Sequence, residues 1–582
     1  MPPASARWHP RRLASRLPAR APARAIALGA GLLLALIAGL LALLGGGRPA
    51  EALVAERFVA AWERGDFAAM HAQLSADSRR ATPLAELAAR YRRSAATATA
   101  LSLKAGRVGE PREGAIAVQV TVRTRLFGPV RETLSLPLEG AGDKARIDWA
   151  PNLTFPGVRR GDRLQRKTSL PARADILARD GRPLAQGPER SSALDAAATS
   201  IVGRLEQLPA EDRARLRELG YPSDARVGVS GLERVFEQRL AGRPGGVLRA
   251  GGTLLGSSRP RAGAAVRTTI DPKVQRTAVA ALGERAGGVA AVGPRDGEIL
   301  ALSGAAFSGL SPPGSTFKIV TLAGALQAGV TRPGSSYPVQ TKTQLEGVDV
   351  QNANGESCGG TLRASFAHSC NSVFAPMGAK LGAQRLVRAA EAFGFNEDLG
   401  IPGAEKSTIP PADEIGDDLA VGSSAIGQGK VQATALQMAL VASTIADRGR
   451  RPKLTLDRDA APVRKRAFPA RTARIVARYM EAVVREGTGR AAAIGGVRVA
   501  GKTGTAELRS TQTSSCVPSP EAPCPAPQPD DPTDTNAWFA AFAPARAPRV
   551  AVGVLLVASG VGGESAAPVA REVLLAGLRA TR

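Results

Sequence analysis

Histidine is nearly absent from this chain of 582 residues: only His9, His71 and His368 occur. A histidine-rich metal site, or a Ser-His-Asp triad in the folded body, has little to draw on, so chemistry without metal or cofactor is expected. Cysteine is almost as scarce, with Cys358, Cys370, Cys516 and Cys524, and no Cys-x-x-Cys spacing suggests zinc or redox work. Four cysteines allow three pairings. Cys516 and Cys524 fall in the Pro- and Ser-rich stretch 511–534, a surface loop that a disulfide could staple in an oxidising exterior, with two free thiols as the alternative. Nor is there a concentrated basic patch: the formal charge of +26 is dominated by arginine and spread along the whole length, so no nucleic-acid partner is expected. Hydrophobic residues make up 44% of the chain, enough to build cores, and its length implies two to four domains.

One long apolar run stands out. Residues 25–47 are uncharged and rich in Leu and Ala over 23 positions, where a bilayer-spanning helix needs about 20. Arg7, Arg11, Arg12, Arg16, Arg20 and Arg24 precede it, which by the positive-inside bias keeps the tail 1–24 in the cytoplasm and exports the remainder. Ala50-Glu51-Ala52 has the small-x-small form of a signal cleavage site, but the run exceeds the roughly 7–15 residues of a signal core. The expected location is therefore the cytoplasmic membrane, single-pass, with the body outside.

Three parts follow. In 51–152, Phe58 and Trp62 lie four apart on one helical face, and Ile116, Val118, Val120 and Val122 alternate with Ala117, Gln119, Thr121 and Arg123, the pattern of a small α+β module. Residues 155–252 are polar and Arg-rich. Residues 253–582 carry three short motifs. The first is Ser315-Thr316-Phe317-Lys318 after the breakers Pro312-Pro313-Gly314, which places Ser315 at a helix start with Lys318 nearly one turn on, facing the same way. A helix N-terminus offers free N–H groups where an oxyanion would form, and a neutral amine one turn from a hydroxyl can take its proton. The second is Ser369-Cys370-Asn371. The third is Lys502-Thr503-Gly504 followed by Thr505, where glycines on both sides of Lys502 suit an edge strand that a ligand approaches closely. Two ammonium groups disfavour each other's charge, so Lys318 is expected to be neutral and Lys502 to keep its proton. Residues 539–542 and 550–557 read as buried strands completing a sheet around Lys502.

The ordered set Ser-x-x-Lys, Ser-x-Asn, Lys-Thr-Gly resembles the signature of penicillin-binding proteins. Gly297-Glu298-Ile299-Leu300-Ala301 and Ile426-Gly427-Gln428-Gly429 are further matches. The segment from Arg173 to Ala185, with Arg179-Asp180-Gly181, resembles the opening of the pedestal of the class B type, although Ala174 and Ala178 replace its usual glycine and aspartate. Gly231-Leu232-Glu233 and Thr269-Ile270-Asp271 with Gln275 support that match. Phe58 to Phe67, with Gly65-Asp66, resembles the nuclear-transport-factor-like domain of the methicillin-resistance type. The resemblance implies a multidomain α+β protein: a transmembrane helix, that small domain (51–152), a pedestal or dimerisation domain (155–252), and a serine β-lactamase/transpeptidase-like domain (253–582) in which helices flank an antiparallel sheet.

It also implies roles. Ser315 would form the acyl-enzyme with Lys318 as its base. Ser369 would relay a proton to the leaving amine and Asn371 would bind the substrate amide. Lys502, Thr503, Gly504 and Thr505 would line the strand that holds the terminal carboxylate, with the N–H groups of Ser315 and Thr505 as oxyanion hole. His368 and Cys370 read as packing. The expected activity is a peptidoglycan D,D-transpeptidase acting on stem peptides ending in D-Ala-D-Ala and acylated by β-lactams; a D,D-carboxypeptidase, a β-lactamase-type hydrolase and a non-catalytic β-lactam sensor are the alternatives. No Glu-x-x-Leu-Asn lies between Asn371 and Lys502, which argues against rapid class A deacylation. About 24 residues inside are too few for a signalling domain. With no recognisable glycosyltransferase block ahead of the pedestal, a glycan-polymerising membrane partner is expected.

Overall fold

The computed structural model describes residues 48–507 and 535–581, and the apolar run 25–47, the tail 1–24, Cys516 and Cys524 lie outside them. The described residues form two compact units, one ending at Thr124 and continuing through Gly128–Gln165 and Arg249–Gly256, the other made of Arg125–Phe127, Arg166–Leu248 and the chain from Ser257 onward.

In the first unit, α1 (Ala50–Arg64) buries Phe58 completely and stops at Gly65, whose φ of 69° only glycine adopts freely. Asp66 then accepts a hydrogen bond from Ala69 N at 2.9 Å and caps α2 (Phe67–Ala72). After α3 (Ala76–Ala81) and α4 (Leu84–Ala98) come β1 (Ala100–Arg112), β2 (Ala115–Thr124), β3 (Pro129–Glu139) and β4 (Arg146–Ile147), which form one sheet in sequence order. In β2, Ile116, Val118, Val120 and Val122 face the helices while their neighbours face out, because the side-chain period of a strand is two. Trp62 meets Tyr91 edge-on at 4.9 Å, and the buried Tyr91 hydroxyl donates to Leu153 O while accepting from Trp149 Nε1, both at 3.1 Å.

The second unit begins with a charge-rich segment in which Glu233 and Glu237 are paired internally. Glu233, 1% exposed, accepts from Arg173 Nε and Arg190 Nε, each at 2.6 Å, and Arg173 also donates to Glu237 at 2.8 Å. Ala178 sits fully buried in an apolar cluster with Ile176, Leu232, Leu240, Ile299, Leu302 and Leu436, so the small apolar residue is the one this environment accepts. Arg179 donates to Glu298 at 3.2 Å and Arg239 to Asp457 at 2.9 Å, tying this segment to the motif-bearing part.

That part is organised by an antiparallel sheet of five strands, β5 (Gly287–Val292), β6 (Ile299–Gly304), β7 (Ala500–Glu507), β8 (Thr535–Ala543) and β9 (Val550–Leu556), in the spatial order β6-β5-β9-β8-β7. Both faces are covered, which is why β8 and β9 read as continuous apolar runs. Trp538, Ala540 and Phe542 of β8 face one core with Met438 and Val441 of a central helix (Ala435–Ala446), while Ala537, Phe539 and Ala541 face the other with Val274, Val573 and Leu574. Thr434 caps the central helix by accepting from Gln437 N at 3.1 Å. A Cβ on Gly553 would lie 2.0 Å from Ala435 O, so helix and sheet touch at their backbones. β7, with Lys502, is the edge strand expected from its flanking glycines.

Candidate active site

Chain breakers build the turn that carries Ser315. Gly314 has φ 52°, donates to Gly427 O at 2.9 Å, and a Cβ there would lie 2.5 Å from Thr505 O, so this turn sits directly on the edge strand. Residues Gly314–Phe317 form a 3-10 turn, where a helix start was expected, and the α-helix begins one turn later as α5 (Lys318–Gln327). The difference favours the motif: with three residues per turn, side chains three apart eclipse. Lys318 Nζ is 3.0 Å from Ser315 Oγ.

Ser369 and Asn371 arrive from the opposite side. Helix α6 (Leu362–Ala367) ends, Ser369 takes the left-handed conformation at φ 63°, and α7 (Asn371–Leu381) begins. A non-glycine residue in that region carries strain of about 1 kcal/mol or more and is held there by its surroundings. The turn aims the Ser369 carbonyl at Lys318 Nζ, 2.6 Å away, and leaves Ser369 Oγ between Lys318 Nζ at 3.2 Å and Lys502 Nζ at 2.9 Å. Asn371 Oδ1 accepts from Lys318 Nζ at 2.7 Å while Asn371 Nδ2 donates to Gln351 O at 2.9 Å, which settles the orientation of its amide. Lys502 Nζ also donates to Thr503 O at 3.0 Å. Thr505 Oγ1 accepts from Gly562 N at 3.4 Å. The structure thus brings Ser315, Lys318, Ser369, Asn371 and Lys502 into one polar cluster beside the strand of Thr503, Gly504 and Thr505.

Both lysines are fully buried. Desolvation, and secondarily the charge of Lys502, pushes Lys318 well below the ordinary lysine range; desolvation alone pushes Lys502 down to about 7. Lys318, the amine expected to be neutral, is pushed down chiefly by burial and only secondarily by the second cation. Lys502, expected to stay charged, holds its proton only up to about neutrality, because burial acts on both groups. The rings of Phe374 and Phe366 lie 5.7 Å from Lys318 Nζ and Lys502 Nζ respectively. Among the described residues no group of three or more His, Cys, Asp or Glu could hold a metal ion.

Two features escaped the sequence. Gln351, whose carbonyl fixes Asn371, comes from a polar excursion with no motif to mark it. Cys370, read as packing, is joined to Cys358 across 5.8 Å between Cα atoms, closing a short loop onto the residue between Ser369 and Asn371. His368 is exposed and its Nδ1 lies 3.1 Å from Glu356 Oε1, away from the cluster's hydrogen bonds.

Comparison with known proteins gives this geometry a context. The family described as penicillin binding protein transpeptidase domain matches residues 287–575, the penicillin-binding protein dimerisation domain matches 184–250, and the NTF2-like N-terminal transpeptidase domain matches 49–162. The peptidoglycan D,D-transpeptidase PbpA of Mycolicibacterium smegmatis is 32% identical over 427 residues, covering 62% of this chain and 81% of that protein. Among solved structures, the D,D-transpeptidase domain of a peptidoglycan glycosyltransferase from Eggerthella lenta is 26% identical with a TM-score of 0.56, covering 70% of this chain and 98% of that one. The imipenem acyl-enzyme complex of penicillin-binding protein A from M. tuberculosis is 25% identical with a TM-score of 0.54, covering 70% and 99%. By sequence, domain order and fold, the chain belongs to the class B penicillin-binding proteins that carry an NTF2-like domain ahead of the dimerisation and transpeptidase domains.

Proposed function

We propose that this chain is a serine D,D-transpeptidase of peptidoglycan in which Ser315 is the nucleophile and Lys318 its base. The observation that carries the assignment is the hydrogen-bond count at Lys318 Nζ. A neutral amine has two protons and one lone pair; Ser369 O at 2.6 Å and Asn371 Oδ1 at 2.7 Å are pure acceptors and take both protons. The lone pair is left for a hydroxyl, and Ser315 Oγ at 3.0 Å is nearer than Ser369 Oγ at 3.2 Å, which also accepts from Lys502 Nζ at 2.9 Å. Ser315 Oγ attacks the carbonyl of the penultimate D-Ala as its proton passes to Lys318, and the oxyanion forms at the N–H groups of Ser315 and Thr505. Ser369 Oγ, between the two amines, relays a proton to the departing D-Ala nitrogen. Asn371 binds the substrate amide, and protonated Lys502 with Thr503 and Thr505 holds the terminal carboxylate. An acceptor amine from a neighbouring strand then attacks the acyl-enzyme and restores Ser315. A β-lactam, which presents an acyl group and a carboxylate in the same relation, acylates Ser315 and stalls there.

With a donor pentapeptide ending in D-Ala-D-Ala and an excess of acceptor amine, the purified full chain is expected to release D-Ala and form the cross-linked product in similar amounts by mass spectrometry. D-Ala release with no cross-link at any acceptor concentration would make it a carboxypeptidase. The positive-inside arginines and the 23-residue apolar run support anchoring in the cytoplasmic membrane with the catalytic part outside. The chain is then expected to stay with membranes through an alkaline carbonate wash. The dimerisation and NTF2-like matches, which account for most of residues 49–250, favour a separate membrane partner that polymerises the glycan.

Lys502 makes the activity pH-dependent. Its proton is needed for the carboxylate and is lost above about 7 in the free cleft, whereas Lys318 must be unprotonated and is held low. The second-order acylation constant is therefore expected to fall through pH 7 on its alkaline side, and the limb for the bound complex to lie higher, because a carboxylate stabilises the ammonium. Stopped-flow acylation of wild type and Lys502→Arg checks this. A guanidinium stays charged, so the alkaline limb should vanish in the variant even if the rate drops; an unchanged limb would assign it to another group.

A further inference from the structure

Thr488, outside all three motifs, stands just past the helix Ala470–Arg485, and its Oγ1 lies 2.6 Å from Thr503 Oγ1 on the edge strand. Its backbone is clamped. Thr488 N donates to Ala367 O at 3.2 Å, two residues before Ser369; a Cβ on Gly487 would lie 2.1 Å from that same carbonyl, and a Cβ on Gly563 would lie 2.3 Å from Thr488 O. The residue therefore bridges the segment that delivers Ser369 and the loop after β9, and turns its hydroxyl toward the strand of Lys502. The Thr488 side chain is exposed to the solvent, whereas Thr503 is 5% exposed.

A threonine hydroxyl has one proton and two lone pairs. If Thr503 donated that proton to Thr488, it would turn lone pairs toward the cleft and repel an incoming carboxylate. The other acceptor within reach of Thr488 Oγ1 among the described residues, Ala367 O, is 3.5 Å away, at the limit of hydrogen-bond geometry. Donation from Thr488 to Thr503 satisfies both: Thr503 accepts from behind and keeps its own proton for an anion in front. A chain of two hydroxyls ending on an anion is also cooperative, each bond polarising the next.

We propose that Thr488 is a positioning residue of the carboxylate subsite, its hydroxyl donating to Thr503 Oγ1 so that the Thr503 proton points at the terminal carboxylate of the donor peptide or the β-lactam. The proposal rests on the assignment of Thr503 to that carboxylate made under Proposed function. It distinguishes Thr488 from a residue that merely braces the fold, because its contribution is felt only by ligands that carry the negative charge.

The test compares acylation of the full chain by benzylpenicillin and by its methyl ester, which keeps the lactam and lacks the anion. Thr488→Val, the same shape without the hydroxyl, is expected to slow acylation by the free acid roughly 10- to 100-fold, the range for a hydrogen bond directed at a charge, while the ester changes by no more than about 3-fold. Thr488→Ser, which restores the hydroxyl, is expected to return the free acid to within about 3-fold of wild type. Thr503→Val should show the same selective loss, and the double variant little more than either single one. Equal losses on acid and ester, no loss, or failure of serine to rescue would overturn the proposal. A selective loss in Thr503→Val without one in Thr488→Val overturns the proposal and leaves the Thr503 assignment standing; no selective loss in Thr503→Val overturns both.

Discussion

A Ser315→Ala chain is expected to take up no fluorescent penicillin under conditions that label the wild type completely, and to form no cross-linked product. Removing the nucleophile of a covalent mechanism leaves only the catalysis that binding and the oxyanion donors supply, a loss of about 10⁴-fold or more. The rest of the cleft should survive. Ser315 Oγ has Lys318 Nζ as its hydrogen-bond partner, and Lys318 keeps its contacts to Ser369 O, Ser369 Oγ and Asn371 Oδ1 when the hydroxyl is gone. Non-covalent binding of the donor peptide, measured by calorimetry, is therefore expected to persist. Labelling of the alanine variant at the wild-type rate would remove Ser315 from the mechanism, and rapid release of label from the wild type would make the chain a hydrolase.

Lys318→Arg should be nearly as damaging, though it conserves the formal charge. A base must be able to lose its proton, and an arginine in a protein does not. Burial holds Lys318 well below its ordinary range, and no such shift brings a guanidinium to neutrality. Acylation by penicillin is expected to drop by about 10²- to 10⁴-fold, the usual worth of a positioned base, with Ser315 still present to react slowly. Lys318→Met separates this loss from folding. The wild type buries an amine whose charged form is disfavoured, so the unfolded chain binds more protons than the folded one at neutral pH, and wild-type stability rises with pH. Methionine titrates nowhere in this range. The melting temperature of Lys318→Met is expected to exceed that of the wild type, by more at pH 6 than at pH 9. A wild-type rate in Lys318→Arg would show that the proton of Ser315 leaves by another route.

Much of this site could be read along the chain, for a local reason. A spacing of three residues after Pro312-Pro313-Gly314 forces Ser315 and Lys318 onto one side whether the turn is α or 3-10, so the pair survives the finding that it is 3-10. Alternation in β2 and continuous apolar runs in β8 and β9 follow from how many faces of each sheet are covered. The edge position of Lys502 was legible from glycines that let another chain come close.

The sequence by itself therefore determined which side chains meet in the cleft, the class of fold that carries them, and an apolar run long enough to span a bilayer. Other properties belong to the assembled structure. The protonation of Lys502 follows from complete burial, a consequence of Phe366, Phe374 and the Ser369 turn closing over it and Lys318. The pairing of Cys358 with Cys370, the hold of Gln351 on Asn371 and the contact of Thr488 with Thr503 join positions that no local rule relates. Desolvation and hydrogen bonding act through space at a few ångströms, and which groups come that near is decided only when the whole domain has packed.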